Sequence, residues 1–371
     1  LQFLWRLASI GFRTGTAQWS GSPPDCRYLT VPNSVATATI VQPDDPRAEE
    51  ARVWALAQLH LQTAEFLPAS ADASFRRYFR ISRGSRSWIV MDAPPAREDC
   101  RPFITVAALL HEAGVHVPRV LAQDLGRGYL LLDDLGRQTY LDVLTADNAD
   151  ALFTQAIEAL IAWQRASRPG VLPPYDTVLL QRELDLFPEW YLGRHLGLHL
   201  DAADVAGWKL ASQQLIDAAL AQPQVYVHRD YMPRNLMLGT PNPGVLDFQD
   251  AVYGPIAYDP VCLFKDAFLS WPEARVDGWL RQYHSAAVIA GLPVPEWPQF
   301  RRDADWIGIH RHLKVAGVFA RITHRDGKPK YVADAPRFIG YVAAIAPRYP
   351  EMAPLVELFR RHRLDEIASS A

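Results

Sequence analysis

Between Tyr226 and Asp250 the chain reads Y-V-H-R-D-Y-M-P-R-N-L-M-L, then a turn, then V-L-D-F-Q-D, and this stretch constrains the fold more than any other. The apolar run Val225–Val227 delivers His228, Arg229 and Asp230 to a strand end. Asn235 follows five residues after Asp230, ahead of the apolar Leu236–Leu238. Thr240-Pro241-Asn242-Pro243-Gly244 is dense turn chemistry, so Leu236–Leu238 and Val245–Leu246 are expected to pair as a small hairpin. Such a hairpin carries Asn235, before its first strand, to Asp247, after its second. Asp230 then stands at the mouth of the same loop.

Phosphoryl transfer asks little of a protein: a carboxylate that positions the attacking hydroxyl and accepts its proton, and oxygen ligands for magnesium on the phosphates of ATP. Hard Mg²⁺ keeps several waters, so one carboxylate and one amide oxygen suffice. H-x-D-x-x-x-x-N followed by D-F supplies that set. A single Asp in a turn would be read as a cap; the whole constellation is read as catalytic, with Asp230, Asn235 and Asp247 as its members and Asn235 and Asp247 as metal ligands.

These motifs resemble the aminoglycoside phosphotransferase and choline kinase-like branch of the protein-kinase-like fold. The resemblance implies that Asp230 is the base that meets the substrate hydroxyl, and that the Asp of Tyr258-Asp259-Pro260 braces the catalytic loop. Gln249 stands where protein kinases carry the glycine of D-F-G. The implied architecture is α+β and two-lobed, with a small antiparallel-sheet N-terminal lobe and a larger helical C-terminal lobe. Residues 1–47 are expected to be an extension outside the domain, 48–135 the nucleotide-binding lobe and 136–371 the helical lobe.

Within the N-terminal lobe, Ala48–Leu61 is rich in Ala, Leu, Glu and Arg and reads as the first helix. Phe75–Ile81 and Trp88–Met91 read as a hairpin. Ahead of it, Ala69–Ser74 occupies the place of a phosphate-covering loop. It has no glycine, but its small residues, Ser74 included, would let backbone N–H groups approach a phosphate. Kinases place a lysine near the end of the third strand; here the first lysine of the chain is Lys209. The cation for the ATP phosphates must then be an arginine, with Arg77 and Arg80 as candidates, although strand alternation puts them on opposite faces. The alternative is that both are solvated strand residues. Arg101–Glu112 is expected to pack behind the sheet, and Glu98 or Glu112 to pair with the phosphate arginine. Tyr129–Leu132 reads as a buried strand running into Asp133-Asp134-Leu135-Gly136, where the family's hinge offers backbone groups to adenine; Asp133 and Leu135 are the candidates, and an ordinary turn fits the same residues.

Beyond Thr139 the pattern turns helical, with Ala151–Arg168, Val261–Phe268, Val276–Ala290, Trp306–Arg321 and Ala335–Ile345 as the expected helices. Glu189 and Trp190, in F-P-E-W-Y-L-G-R-H, have the aromatic and polar density of a sugar site, or belong to a helix that packs its Trp into the core. On Trp306–Arg321, His310, Arg311 and Lys314 share a face. Arg311 and Lys314 are expected to meet a substrate carboxylate, the alternative being a solvated face.

At 49% apolar residues and a net charge of −3, the chain can bury a sizeable core and has no electrostatic footprint for nucleic acid or an anionic membrane. Three cysteines, Cys26, Cys100 and Cys262, without C-x-x-C spacing indicate neither a disulfide framework nor zinc, and fit a reducing, cytoplasmic setting. No membrane span and no protein partner are implied. The segments S-A-D-A-S-F-R-R-Y-F-R, V-M-D-A-P-P, L-D-F-Q-D-A-V-Y-G-P and R-H-L-K-V-A-G-V-F-A-R look like those of the bacterial cell-wall-recycling kinases of amino sugars. That likeness implies ATP- and Mg²⁺-dependent phosphorylation of the anomeric hydroxyl of N-acetylmuramate and N-acetylglucosamine. Two rivals stay open: a kinase of the same family for aminoglycosides, choline or amino-alcohols, and a nucleotide-binding member without activity.

Overall fold

The structure is a computed structural model, and it describes residues 45–71 and 75–369. Most of the expected 1–47 extension therefore lies outside the described residues, as does Ser74. The remaining three residues of that extension belong to the domain: the Asp45 side chain accepts from Ala48 N at 3.0 Å, capping helix α1 (Pro46–Gln58), whose first position is a proline.

In chain order there follow β1 (Glu65–Ala71), β2 (Arg77–Arg83), β3 (Arg86–Asp92), α2 (Arg101–Glu112), β4 (Val120–Asp124), β5 (Tyr129–Asp133), α3 (Tyr140–Val143), α4 (Ala149–Arg165), α5 (Thr177–Leu184), a π-helix (Phe187–His195) and α6 (Ala202–Ala221). Strands β6 (Gln224–Val227), β7 (Leu236–Met237), β8 (Gly244–Val245) and β9 (Val252–Pro255) precede α7 (Tyr258–Phe264), α8 (Glu273–Ile289), α9 (Trp297–Asp326), α10 (Ala335–Ile345), α11 (Ala353–Arg361) and α12 (Leu364–Ser369).

Two compact units result. One runs to Cys100 and adds Val120–Asp134; the other takes Arg101–Arg119 and everything from Leu135 on. The first is an antiparallel five-stranded sheet in the order β1-β2-β3-β5-β4. Its β1 begins at Glu65, so Ala69–Ala71 of the expected phosphate loop are the end of a strand. Helix α1 covers the sheet: Ala51, Trp54 and Ala55 join Phe79, Ile81, Val90, Tyr129 and Leu131 in one buried cluster.

The helix expected behind the sheet, α2, belongs to the other unit. Its stripe of Phe103, Val106, Ala107 and Leu110 is buried, with the Phe103 ring 4.8 Å from that of Phe248, and the loop after it bonds Val245 N through His116 O at 2.7 Å. An apolar stripe fixes that a helix is buried, not which body buries it.

The helical unit is built around α9. From Asp303 to Ala320 this helix is buried on every side, because α5, the π-helix, α6, α7, α8 and α10 all pack on it. Gly317 allows the closest approach: a Cβ there would lie 2.4 Å from the Leu186 carbonyl carbon, at the entry to the π-helix.

Candidate active site

Strand β6 pairs antiparallel with β9 (Val225↔Gly254, Val227↔Val252) and ends at the H-R-D turn, where Arg229 takes φ 73°. The expected hairpin is present as β7 and β8, registered Leu236↔Val245. It ends in Asp247, at φ 64°. A non-glycine residue in left-handed backbone is uncommon and is retained where surrounding structure over-determines it. Both turns of this site carry one.

Asp259 supplies the determination for the first turn. Its fully buried carboxylate accepts from His228 N at 2.7 Å and from Arg229 N at 3.0 Å, one oxygen each. His228 is held neutral, burial drawing it down to about 4. Its Nδ1 therefore accepts from Asp230 N at 3.3 Å while Nε2–H donates to Leu246 O at 3.0 Å, tying the loop to the second hairpin strand. Between buried Arg229 and buried Tyr231, Asp230 is half-exposed. The loop is thus fixed by its backbone, and its one acidic side chain is left half-exposed.

Asn235 joins the parts. Its Nδ2 donates to Asp230 O at 2.8 Å and lies 3.5 Å from Asp247 Oδ2, while Gln249 Nε2 donates to Asp247 Oδ1 at 2.9 Å. Orienting the Asn235 amide by its nitrogen turns Oδ1 away as an available acceptor. Gln249, where protein kinases have glycine, positions the Asp247 carboxylate. No group of three or more His, Cys, Asp or Glu side chains able to hold a metal exists among the described residues. A carboxylate and an amide oxygen is a donor set that fits a hard, water-keeping cation such as Mg²⁺ and not a zinc site.

Arg311 and Lys314, expected to meet a substrate carboxylate, are buried within the helical unit. Arg311 is 2% exposed and donates to Cys262 Sγ at 3.0 Å and Lys265 O at 3.1 Å. Lys314 Nζ lies 2.8 Å from Glu183 Oε1 and bonds the Tyr258 hydroxyl at 3.1 Å. Glu183, 1% exposed, also accepts from Arg229 Nη2 and from the Tyr175 hydroxyl. Burial alone would raise the Glu183 carboxyl, but Lys314 and Arg229 outweigh it and hold it below the usual range. The cations serve a buried ion network that includes Arg229 of the H-R-D turn, because α9 is enclosed and has no solvated face at those positions. Lys314→Met should accordingly destabilise the fold by roughly 1.5–3 kcal/mol, the cost of a lost charge-assisted hydrogen bond, since Arg229 still pairs with Glu183. It should leave the ratio of KM values between a carboxylate-bearing and a neutral substrate unchanged, as urea titration and steady-state kinetics on the same preparation would read.

Arg77 and Arg80, the arginines expected to meet the ATP phosphates, stand in ion pairs of the sheet unit. Arg77 is held by Asp92, with Nε to Oδ2 at 2.9 Å, and by Asp45. Arg80 grips Asp134 in a two-pronged fork at 2.6 and 2.9 Å. Their charge is committed to carboxylates of the sheet. Asp133 ends β5 opposite Trp88, and Leu135 begins the next unit, its side chain lying 2.8 Å from where a Gly244 Cβ would stand. Glu189 is exposed and Trp190 half-buried on the π-helix, which runs along α9 beyond Gly317. No contact among the described residues ties Glu189 or Trp190 to the Asp230 loop. Glu183 and Gln249 are the residues whose roles the sequence reading lacked; a lone Glu between buried Leu180 and Leu184 was the available signal for the first.

A five-stranded antiparallel sheet, a helical body, and two carboxylates and an amide on adjoining turns have the make-up of a phosphotransferase of the small-molecule kinase type. Residues 65–302 match the model of the phosphotransferase enzyme family, and the chain belongs to that family. It is 57% identical over 326 residues to an N-acetylmuramate/N-acetylglucosamine kinase of Pseudomonas aeruginosa, covering 85% of this chain and 96% of that protein. It is 47% identical over 296 residues to the kinase of the same name from Neisseria meningitidis, covering 78% and 88%. Among solved structures, a choline/ethanolamine kinase family protein from Mesorhizobium loti superposes with TM-score 0.56 at 17% identity, covering 85% of this chain and 99% of that one. An ADP-bound aminoglycoside phosphotransferase does so with TM-score 0.54 at 14% identity, covering 84% and 98%. These last two share the fold.

Proposed function

We propose that the chain transfers the γ-phosphoryl group of ATP to the anomeric hydroxyl of N-acetylmuramate and N-acetylglucosamine, returning amino sugars from cell-wall turnover to sugar 1-phosphates in the cytoplasm. The observation that carries this is the 57% identity extending over 96% of a kinase so named, across the whole catalytic segment. Asp230 is the base: its half-exposed carboxylate orients the sugar hydroxyl and accepts its proton as the oxygen attacks phosphorus. Asn235 Oδ1 and the Asp247 carboxylate are the oxygens that would hold Mg²⁺, and Gln249 keeps the latter aimed. When bound, the ion neutralises phosphate charge. His228 and Asp259 act through the backbone, fixing where Asp230 stands. No helix among the described residues is long and apolar enough to cross a membrane.

The test is ADP release with N-acetylmuramate, N-acetylglucosamine, an aminoglycoside and choline as acceptors. Turnover with the two amino sugars alone is expected. Turnover with choline or the aminoglycoside, and none with either sugar, would reject the assignment.

A further inference from the structure

Within the helical unit, a cleft of about 330 Å³ opens between the first turns of α9, the end of α6 and the chain at Pro295. Ala218, Ala221, Pro223, Pro295 and Trp306 give it apolar walls, and Asp303 lines it too. Other buried carboxylates of this unit are answered. Glu183 meets Lys314 and Arg229, Asp305 meets Lys265 and Arg301, Asp204 meets Arg361, and Asp259 holds two backbone N–H groups.

Asp303 differs. It is 6% exposed, and its Oδ1 accepts from Gln299 Nε2 at 2.7 Å, one helical turn earlier; no ion pair and no second hydrogen bond reaches its carboxylate among the described residues. Arg302, beside it, is engaged by Glu351 at 2.8 Å and lies over the rings of Trp306 and Tyr349 at 4.4 and 5.0 Å. Burial pushes the Asp303 carboxyl up to about 6, with the Gln299 amide and the Arg302 charge opposing. Above that pH it is a charge taken out of water with one neutral donor, an arrangement that is costly without a cation. An apolar cleft with a few polar groups converging on it is the ordinary form of a small-molecule site, and roughly 300 Å³ is the small end of that class.

We propose that this cleft binds a small primary amine, whose ammonium group meets Asp303 while its apolar body lies against Trp306 and the two prolines. A primary ammonium suits it because one carboxylate oxygen is taken by Gln299 and the other needs an N–H donor. The site is separate from the Asp230 turn. Pro223 immediately precedes β6, and the H-R-D turn follows that strand's other end, about 13 Å away for four extended residues.

The test is a ligand-observed NMR titration of the full chain with benzylamine and with benzyl alcohol, two probes of one shape that differ in charge. Benzylamine is expected to bind saturably with Kd of about 0.1–1 mM, the scale for so small a ligand with one charged contact. Benzyl alcohol should bind roughly ten- to a hundredfold more weakly, as loss of a charge-assisted hydrogen bond implies. Asp303→Asn should bring the two probes level. Ala221→Phe, at an exposed wall position, should block the cleft and abolish binding of both; it carries the test if Asp303→Asn does not fold. Absence of saturable benzylamine binding, equal affinity for the two probes in wild type, a preference that survives Asp303→Asn, or binding untouched by Ala221→Phe would each overturn the proposal.

Discussion

Asp230→Asn is expected to lower kcat by about two to four orders of magnitude while leaving nucleotide affinity within about twofold, the range for removal of a positioned general base. The substitution is isosteric and the loop does not depend on the carboxylate. Asp230 contributes its backbone oxygen to Asn235 and its backbone N–H to His228 Nδ1, and Asn keeps both. What disappears is an oxygen able to take a proton from the acceptor hydroxyl. Paired kinetics and calorimetry on the variant would check this. Retention of more than about a tenth of kcat, far outside that range, would mean that Asp230 is not the base.

Asp259→Asn should rank next, through a different route. Each oxygen of Asp259 receives one backbone N–H, from His228 and from Arg229, in a site without solvent. An amide keeps one acceptor and turns a second donor against the other N–H. Orphaning a buried donor costs about 1–3 kcal/mol. The displaced H-R-D turn should lose on the order of a hundredfold in kcat, as misplacement by about 1 Å does. The variant also has a pH signature. Burial, opposed by the two N–H donors, pushes the Asp259 carboxyl from its ordinary 3.8 up to about 7. Between those values the folded state holds a proton that the unfolded chain has released, so this group's contribution to stability is complete below 3.8 and is lost as pH rises to 7. Denaturant melts across that window should show a flatter pH dependence in Asp259→Asn than in wild type. Parallel curves would show that Asp259 does not titrate there.

The gathering of Asp230, Asn235 and Asp247 was legible because they are nearly contiguous, spaced by a loop and a hairpin whose turn residues are explicit in Thr240–Gly244. Most helices of the larger unit were legible too, and Ala335–Ile345 matches to the residue. Helix α6 was not, because its buried stripe carries Asp204 and Ser212 while Val205, Leu210 and Leu220 lie exposed, which removes the apolar contrast that marks a face. Arg311 and Lys314 were misjudged for a related reason. Charges on a helix default to solvent, and only the packing of neighbouring helices on both flanks of α9 shows that these do not. Which arginine pairs with Glu98 depends on a contact across 22 residues of chain, and Arg76 was masked by its neighbour Arg77, the more regular strand position.

The position of the phosphate on the product tests most directly whether the acceptor is the anomeric oxygen of an amino sugar. After incubation of the full chain with ATP, Mg²⁺ and N-acetylglucosamine, the product phosphorus resonance should couple to the sugar H1 in a proton–phosphorus correlation spectrum, with the reducing end lost. Coupling to the H6 protons, or a reducing end that survives phosphorylation, would contradict it.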